Sequence, residues 1–369
     1  MRDRIPQLDA VRGIAILLVI LHNESVKFPT LHLESLFANG WMGVDLFFVL
    51  SGFLITRILI DTKSSECYFK NFYARRCFRI WPLYFSIIIL MFLVIPAVRP
   101  SLADSLFKRS SPWWAYPLFL QNILVPVPLL VPVALNAAGP LSVTWSVAIE
   151  EQFYIVWAWV VRYCSQIQIR RIAVYVICLS PLLRLFLSFH HVNLYSNTFC
   201  RMDGLMAGAL LAVQIRSDNL ASSKRIREAW LVLLITLPLA FVTEAFNARW
   251  IVFSLSAAAS AAFVYLALYS RGEWFQRVLK NPFLVFTGTI SYGLYLLHKL
   301  PFDTAEETIA LNQYPFLTAV ILLVVCYGLA ALSWNLLEKP FRRLKRHFEL
   351  NSNISLTTEQ FAVRGSSSD

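Results

Sequence analysis

The sequence predicts an all-α polytopic membrane protein with about ten transmembrane helices, both termini in the cytoplasm, and a Pro-rich surface excursion near residues 100–140. Three observations predict this class: the composition, the unbroken apolar runs and the placement of positive charge. Hydrophobic residues make up 57% of the 369 residues and charged residues only 15%, whereas soluble domains carry roughly 25% charged residues. A soluble enzyme and a disordered chain are excluded, because the polar residues are too few.

The apolar residues come in continuous runs and do not alternate with polar residues, which favours helices over a membrane barrel. A membrane helix needs about 20 apolar residues. The predicted spans are 10–23, 41–60, 80–98, 143–161, 172–189, 200–215, 229–243, 250–270, 282–300 and 316–337. The stretch 113–133 is apolar as well, but prolines in and beside it would break a lipid-exposed helix. It is therefore assigned to the surface excursion.

Positive charge sets the predicted orientation. With the N-terminus inside, the inner loops and ends contain 23 of the 33 Lys and Arg residues, and the outer loops contain six. Positive residues near helix ends stay on the cytoplasmic side. If 113–133 also crossed the bilayer, every later loop would change sides and this bias would disappear. The net charge of +11 is thus mainly a topology signal, and nucleic acid is not expected as a partner.

The two ends of the chain indicate the limits of the transmembrane domain, and the six cysteines indicate no disulfide or metal site. The first apolar run lacks a small-residue cleavage site and continues into further spans, so it should remain as the first helix. The cysteines show no C-x-x-C spacing, so neither a disulfide framework nor a metal site is expected. We predict a transmembrane domain at 1–346 and a polar, disordered cytoplasmic tail at 347–369.

Ionisable residues inside the predicted spans indicate a polar cavity. Each costs about 2.5–3.5 kcal/mol at the bilayer centre, so each needs a partner or a function. They are Arg12, His22, Asp45, Arg57, Glu150, Glu151, Arg184, Arg201, Asp203 and His298. Helical spacing places Glu150, Glu151 and Tyr154 on one face, and Ser291, Tyr295 and His298 on another. Either these groups pair as structural ion pairs, or they line a site.

A basic turn made by Arg75, Arg76 and Arg79 precedes the third span. Guanidinium groups match phosphate oxygens bidentately, so the turn could hold a phosphate-bearing ligand. The alternative is an anchor that contacts anionic membrane lipid. Arg12 is expected about one helical turn from the same face.

Seven motifs occur in order between residues 8 and 342. They are 8–15 with His22, 43–55, 75–84, 144–154, 201–205 with Gly208, 291–298 and 338–342. Together they resemble the acyltransferase-3 family of integral membrane acyltransferases. The resemblance implies a multi-pass enzyme of the bacterial inner membrane that moves an acyl group, usually acetyl, from cytoplasmic acyl-CoA to a hydroxyl of a sugar or glycan.

Some members of that family carry a fused extracytoplasmic hydrolase-like domain that completes the transfer, and no such domain follows the motifs here. The resemblance then implies direct action on the carbohydrate acceptor, or transfer to a separate extracytoplasmic protein. The resemblance implies acyl-CoA, with acetyl-CoA the expected form, as a donor substrate, and it implies no permanently bound cofactor or metal.

The resemblance also suggests roles for individual residues. His22 would take the proton of the acceptor hydroxyl, and Glu150 or Glu151 would orient the imidazole or that hydroxyl. Arg75, Arg76 and Arg79 would hold the phosphates of acyl-CoA, while Arg12 or Arg201 would stabilise oxyanion charge. The secondary candidates are Asp45, Asp203 and His298 as supporting or structural groups, Ser51 and Tyr292 as carriers of a covalent acyl group, and Trp145 within the motif at 144–154.

One spacing departs from the family pattern. Most members place the arginine and histidine of the first span eleven positions apart, and here Arg12 and His22 are ten apart. In a regular helix this turns His22 about 80° away from Arg12 and puts Asn23 in phase. Either a local bulge returns His22 to the cavity, or the two residues never share a face. We prefer His22 as the catalytic group, because an amide cannot take a proton.

Two other functions fit the same pattern. A transporter or flippase for a lipid-linked sugar also needs a polar cavity between helices. An assembly partner with a degenerate site is the third possibility. Dependence on acyl-CoA separates the enzyme from both.

Overall fold

The computed structural model describes residues 5–107, 111–124, 139–190, 193–217, 222–308 and 314–344, and within these ranges every regular element is helical. The predicted domain end at 346 and the tail at 347–369 lie outside the described residues. The α-helices are α1 (Pro6–Ser25), α2 (Glu34–Phe37), α3 (Met42–Asp61), α4 (Tyr68–Ile89), α5 (Ile95–Val98), α6 (Pro100–Phe107), α7 (Gln121–Leu124), α8 (Thr144–Tyr163), α9 (Gln166–Ser188), α10 (Thr198–Ser217), α11 (Ser223–Ala245), α12 (Arg249–Tyr269), α13 (Glu273–Leu279), α14 (Pro282–Thr289), α15 (Ser291–Leu297), α16 (Lys299–Thr308), α17 (Pro315–Ser333) and α18 (Lys339–Leu344).

Seven stretches of the described chain are long and apolar enough to cross a membrane. They are Glu34–Asp61, Tyr68–Val98, Gln166–Ser188, Thr198–Arg216, Ser223–Ala245, Arg249–Tyr269 and Pro315–Leu344. The chain is therefore a multi-pass, all-helical membrane protein. The seven stretches account for part of the ten predicted spans; the full count, and the side on which the termini lie, stay predictions.

The other three predicted spans differ from the seven in polarity or continuity. Helices α1 and α8 each have 20 residues, which corresponds to about 30 Å of helix, but they carry the ionisable groups that lower their apolarity. The window 282–300 is not one helix: it divides at Ile290 into α14 and α15. Serine and asparagine side chains cap α9, α11 and α14 at their starts, as expected for orphan helix N–H groups.

Helix α3 is central and packs against α1, α8, α10 and α12. Its contact with α10 is a close backbone crossing that depends on two glycines. A Cβ atom at Gly52 would collide with the carbonyl of Leu205, and one at Gly208 would collide with the carbonyl of Val49. Small residues permit this approach in membrane bundles, where dispersion contacts drive helix association.

The described part of the Pro-rich segment, residues 111–124, contains a 3₁₀ turn and the short helix α7, and no spanning helix. One side of it is packed and the other is open: Tyr116 and Asn122 are each 1% exposed, whereas Trp113 and Leu118 are 65% and 61% exposed. The Tyr84 hydroxyl donates to the Tyr116 carbonyl over 2.9 Å, and the Gln121 amide donates to the Tyr84 hydroxyl over 3.1 Å. This part is thus attached to α4, and its position at the membrane surface stays a prediction; residues 125–138 lie outside the described residues.

Candidate active site

The predicted site residues fall into two regions. The first, here called the cavity, has a volume of about 260 Å³ and is lined by residues that include His22 and Trp145. The second, here called the basic junction, is formed by Arg12 of α1, Arg76 and Arg79 of α4, and Glu150 and Glu151 of α8. No residue of the basic junction is among the described residues that line the cavity.

The lining of the cavity is neutral, polar and aromatic. Its polar and aromatic members are His22, Asn23, Trp41, Tyr116, Gln121, Asn122, Ser142, Thr144, Trp145, Asn193, Tyr195, Ser196 and Tyr295. Burial raises the pKa of the Tyr116 phenol to about 12, so its hydroxyl stays protonated at neutral pH. Apart from tyrosines, His22 is the one titratable side chain among the described lining residues.

His22 is held by a backbone carbonyl. Its Nδ1 atom lies 3.0 Å from the carbonyl oxygen of Phe37. A carbonyl can only accept, so Nδ1 carries the proton and donates, which leaves a lone pair on Nε2. This is the tautomer a general base requires. The predicted orienting role of Glu150 or Glu151 is therefore wrong for the imidazole, because both glutamates belong to the basic junction.

The one-residue shift in the first span is not compensated by a bulge. Helix α1 is a continuous α-helix from Pro6 to Ser25, so the bulge hypothesis is wrong. His22 and Asn23 both line the cavity, while Arg12 lies in the basic junction. Arg12 and His22 therefore belong to different regions and do not share a face, as the second alternative states.

His298 supports the end of α1 and does not line the cavity. It is fully buried, its Nδ1 lies 2.8 Å from the carbonyl of Tyr295, and its Nε2 lies 3.1 Å from the amide nitrogen of Asn23. Donation from Nδ1 leaves Nε2 to accept from the Asn23 amide. Both ring nitrogens are thus occupied, which matches a structural role.

Arg201 lies behind the aromatic wall of the cavity. Its guanidinium pairs with Asp45 over 2.5 Å and lies within 6.0 Å of five aromatic rings. These are the rings of Trp41, Phe48, Trp145, Tyr195 and Phe253. Three of the rings line the cavity, but Arg201 does not. The arrangement fits a cation that holds the wall in place, and it does not bring Arg201 to a developing oxyanion.

Asp203 forms a second buried ion pair, with Arg184. Its carboxylate lies 2.9 Å from Arg184 and accepts a hydrogen bond from Ser254 over 2.7 Å. Arg184 also donates to the carbonyls of Cys200 and Trp250. The pair ties α9, α10 and α12 together, in line with the structural role predicted for Asp203.

In the basic junction, Glu150 accepts two hydroxyl hydrogen bonds. Ser51 donates to Oε1 over 2.7 Å and Tyr154 donates to Oε2 over 2.8 Å. The helical spacing that placed Glu150 and Tyr154 together is thereby confirmed. Arg76 and Arg79 lie within electrostatic range of Glu150, and Arg76 is also within range of Glu151.

The arginines of α4 differ in accessibility. Arg75 and Arg76 are 8% and 6% exposed, and Arg79 is half-buried. Arg75 donates from Nε to the Asn71 carbonyl over 2.9 Å, and Arg76 lies over the rings of Phe72 and Tyr154. Arg12 pairs with Asp9 at 3.0 Å and lies within electrostatic range of Arg79. The predicted proximity of Arg12 to these arginines is confirmed for Arg79, but the predicted basic turn is wrong, because Arg75, Arg76 and Arg79 all lie inside the continuous helix α4.

Tyr292 donates its hydroxyl to the carbonyl of Ile80 over 2.8 Å. It thus joins α15 to α4, with Glu151 and Glu338 within electrostatic range. Ser51 and Tyr292, the two candidates for a covalent acyl group, therefore belong to the basic junction side.

Three helices contribute to both regions. Helix α3 places Val44 at the cavity and Ser51 at the basic junction, α8 places Trp145 and Glu150 likewise, and α1 places His22 and Arg12. Phe47 and Phe48 lie between Val44 and Ser51 along α3, and their rings contact two cavity residues: Phe47 meets Tyr295 and Phe48 meets Trp145, each at 6.0 Å between ring centroids; Phe47, Phe48 and Tyr295 are here called the aromatic layer.

Several lining residues could not be found from the motifs. Gln121 and Asn122 lie within the Pro-rich segment, and Asn193, Tyr195 and Ser196 precede α10. For Gln121 and Asn122, the sequence offered one indication, which is two adjacent amide side chains within an otherwise apolar stretch. Gln152 connects these segments, since it donates to Asn122 over 2.9 Å and accepts from Thr198 over 2.6 Å.

Comparisons with known proteins agree with the motifs. The family model of the acyltransferase-3 domain, described as an acyltransferase domain, matches residues 5–336. The chain is 29% identical to "Putative peptidoglycan O-acetyltransferase YrhL" of Bacillus subtilis, with 92% of this chain and 55% of that protein covered. It is 26% identical to "Peptidoglycan O-acetyltransferase OatA" of Listeria monocytogenes, with 93% of this chain and 56% of that protein covered. The chain spans about half the length of these curated relatives. No solved structure gives a significant match.

Proposed function

Because the chain belongs to the acyltransferase-3 family, we propose that it is a membrane O-acyltransferase that moves an acetyl group from acetyl-CoA to a sugar hydroxyl. The basic junction receives the donor and the cavity receives the acceptor. The observation that carries this proposal is His22: an imidazole held through Nδ1 by the Phe37 carbonyl, in the lining of a polar cavity of about 260 Å³.

The lining supports a carbohydrate acceptor. Amide and hydroxyl side chains match the hydrogen-bonding groups of a sugar, and the rings of Trp41, Trp145 and Tyr195 offer flat apolar surfaces. No lysine, arginine, aspartate or glutamate lies among the described lining residues, which favours a neutral reacting unit. Since the relatives are named for peptidoglycan O-acetylation, a glycan of the cell envelope is the proposed acceptor class, and a bacterial plasma membrane the proposed location.

The basic junction supports a phosphate-bearing donor. Guanidinium groups bind phosphates bidentately, and Arg12, Arg76 and Arg79 come together from two helices. An anchor on lipid headgroups requires exposed guanidinium groups, whereas Arg75 and Arg76 are buried. The burial of Arg75 and Arg76 argues against the lipid anchor, and half-buried Arg79 is the most accessible of the three for a donor phosphate.

The reaction balances with His22 alone as the proton carrier. Nε2 removes the proton of the acceptor hydroxyl, and the oxygen attacks the thioester carbonyl. The carbon–sulfur bond then breaks, and the CoA thiolate takes the proton back from the imidazolium. Arg12 and His22 are separated by about 15 Å of helix rise, which the pantetheine arm of CoA bridges when the aromatic layer of Phe47, Phe48 and Tyr295 moves aside.

The test is transfer of label from radioactive acetyl-CoA into glycan by membranes that contain the full chain. His22→Ala is expected to lower turnover by about 10²–10⁴-fold, the range of general-base catalysis, with unchanged expression and detergent extraction. His32→Ala is the matched control, because His32 is exposed. Near-normal turnover in His22→Ala would remove His22 from the mechanism.

Three further outcomes separate the alternatives. Sugar movement across the membrane without acyl-CoA would support a transporter. A stable acylated Ser51 or Tyr292 in the quenched reaction would replace direct transfer by a covalent relay. Label that first appears on a separate extracytoplasmic protein would make that protein the immediate acceptor.

A further inference from the structure

A second cavity, here called the crevice, lies between α9, α10, α11 and α12 and shares no lining residue with the first cavity. Its volume is about 480 Å³. Its walls are mainly apolar, with Leu210 on α10, Val232 on α11, and Ala258 and Ala261 on α12. Neither the proposed donor nor the proposed acceptor uses it.

The crevice is at the depth of the bilayer. All four helices that form it belong to stretches able to cross a membrane. Helix α11 packs chiefly on α12, and only 6% of its apolar window is buried. Because water gains no hydrogen bonds along apolar walls, lipid is the available filling for this space.

The length of the crevice matches one leaflet. Along α10 its lining runs from Asp203 to Gln214, which corresponds to about 16 Å of helix. One leaflet contributes half of the roughly 30 Å hydrocarbon core, about 15 Å. At the other end of this lining, the Asp203 carboxylate is bonded to Arg184 and Ser254.

The end of the crevice near Gln214 has charged side chains that suit a lipid headgroup. Arg225 and Glu228 line the crevice there and are three residues apart on α11, so they share a face of that helix. A guanidinium favours a phosphate, and a carboxylate favours an ammonium group. One cation beside one anion suits a zwitterionic headgroup better than an anionic one.

We propose that the crevice binds one acyl chain of a zwitterionic phospholipid, with the phosphate at Arg225 and the ammonium group at Glu228. The bound chain fills the space between α10 and α11. It thereby braces α11, whose main protein contact is α12.

Photo-crosslinking tests the chain site. The full protein is placed in nanodiscs of equal phosphatidylethanolamine and phosphatidylglycerol with a trace of phosphatidylethanolamine that carries a diazirine in its acyl chain. We expect label on peptides of α10 and α12, and at least a fivefold loss in the Ala258→Phe/Ala261→Phe variant. Ala245→Phe is the matched control, because Ala245 is exposed on α11 and does not line the crevice. Equal labelling in the filled variant, or label concentrated on α17, overturns the chain site.

A second variant leaves the crevice open and tests the headgroup. Arg225→Gln with Glu228→Gln alters side chains that are half-buried and exposed, so folding should be retained. We expect the wild type to be labelled at least threefold more by the phosphatidylethanolamine probe than by the matching phosphatidylglycerol probe, and the variant to lose this preference. An unchanged preference in the variant, or none in the wild type, overturns the headgroup assignment.

Discussion

The basic junction and the cavity share helices α1, α3 and α8 but differ in their chemistry. The basic junction brings guanidinium groups and carboxylates together, and Glu150 is bonded to Ser51 and Tyr154. The cavity has amides, hydroxyls and rings around one imidazole. Such a difference suits two substrates of unlike charge, a polyanionic donor and a neutral acceptor. Variants in the two regions should therefore affect different substrates.

The largest effect is expected from the cation behind the cavity wall. Arg201→Met leaves Asp45 buried without its partner. Breaking a buried ion pair in this way should lower the free energy of unfolding by about 3–5 kcal/mol. The measurement is thermal unfolding of detergent-purified protein. Arg201→Met with Asp45→Asn should recover part of the loss, because the uncompensated charge is gone. An Arg201→Met protein as stable as the wild type would contradict a structural role for the cage.

A smaller, donor-specific effect is expected in the basic junction. Arg76→Gln with Arg79→Gln should raise the KM for acetyl-CoA about 10–100-fold, as two charge-assisted phosphate contacts of about 1.5–3 kcal/mol are partly lost. The KM for the acceptor should change little. Arg170→Gln with Arg171→Gln is the control, because both arginines are exposed on α9. Equal effects on both substrates would mean that the two regions are not separate.

The reverse pattern is expected in the cavity. Asn122→Ala removes hydrogen bonds to Thr198 and Gln152, each worth about 0.5–1.5 kcal/mol. We expect the acceptor KM to rise about tenfold with an unchanged KM for acetyl-CoA, measured by steady-state kinetics. Asn335→Ala, at an exposed asparagine, should match the wild type. A rise in the KM for acetyl-CoA alone would mean that Asn122 acts on the donor and not on the acceptor.

The smallest effect is expected at Tyr292. Tyr292→Phe removes one hydrogen bond to the Ile80 carbonyl, so stability should fall by about 1 kcal/mol and turnover should stay within about threefold of the wild type. A folded Tyr292→Phe protein without turnover would instead indicate that the phenol carries the acyl group.

The sequence predicts the helical membrane fold and many of the residues at both regions, because charge inside an apolar run is conspicuous and helical spacing is regular. The contact of Glu150 with Tyr154 follows from spacing alone. The close crossing at Gly52 and Gly208 agrees with the motifs that contain these glycines, although the sequence does not name the partner helix.

Other features depend on distant pairing and were beyond reach. Arg201 meets Asp45 across 156 positions, so its place behind the wall is visible only in the fold. His22 is oriented by a backbone carbonyl, which leaves no trace in residue type. The alternative of a bulge in α1 is not needed, because the cavity is wide enough to include both His22 and Asn23.

Equilibrium binding of radioactive acetyl-CoA to purified protein tests the division of labour most directly. We expect His22→Ala to bind acetyl-CoA within about twofold of the wild type and to transfer none, and Arg76→Gln/Arg79→Gln to bind at least tenfold more weakly. Loss of binding in His22→Ala, or wild-type affinity in the double arginine variant, would contradict a donor site at the basic junction with catalysis in the cavity.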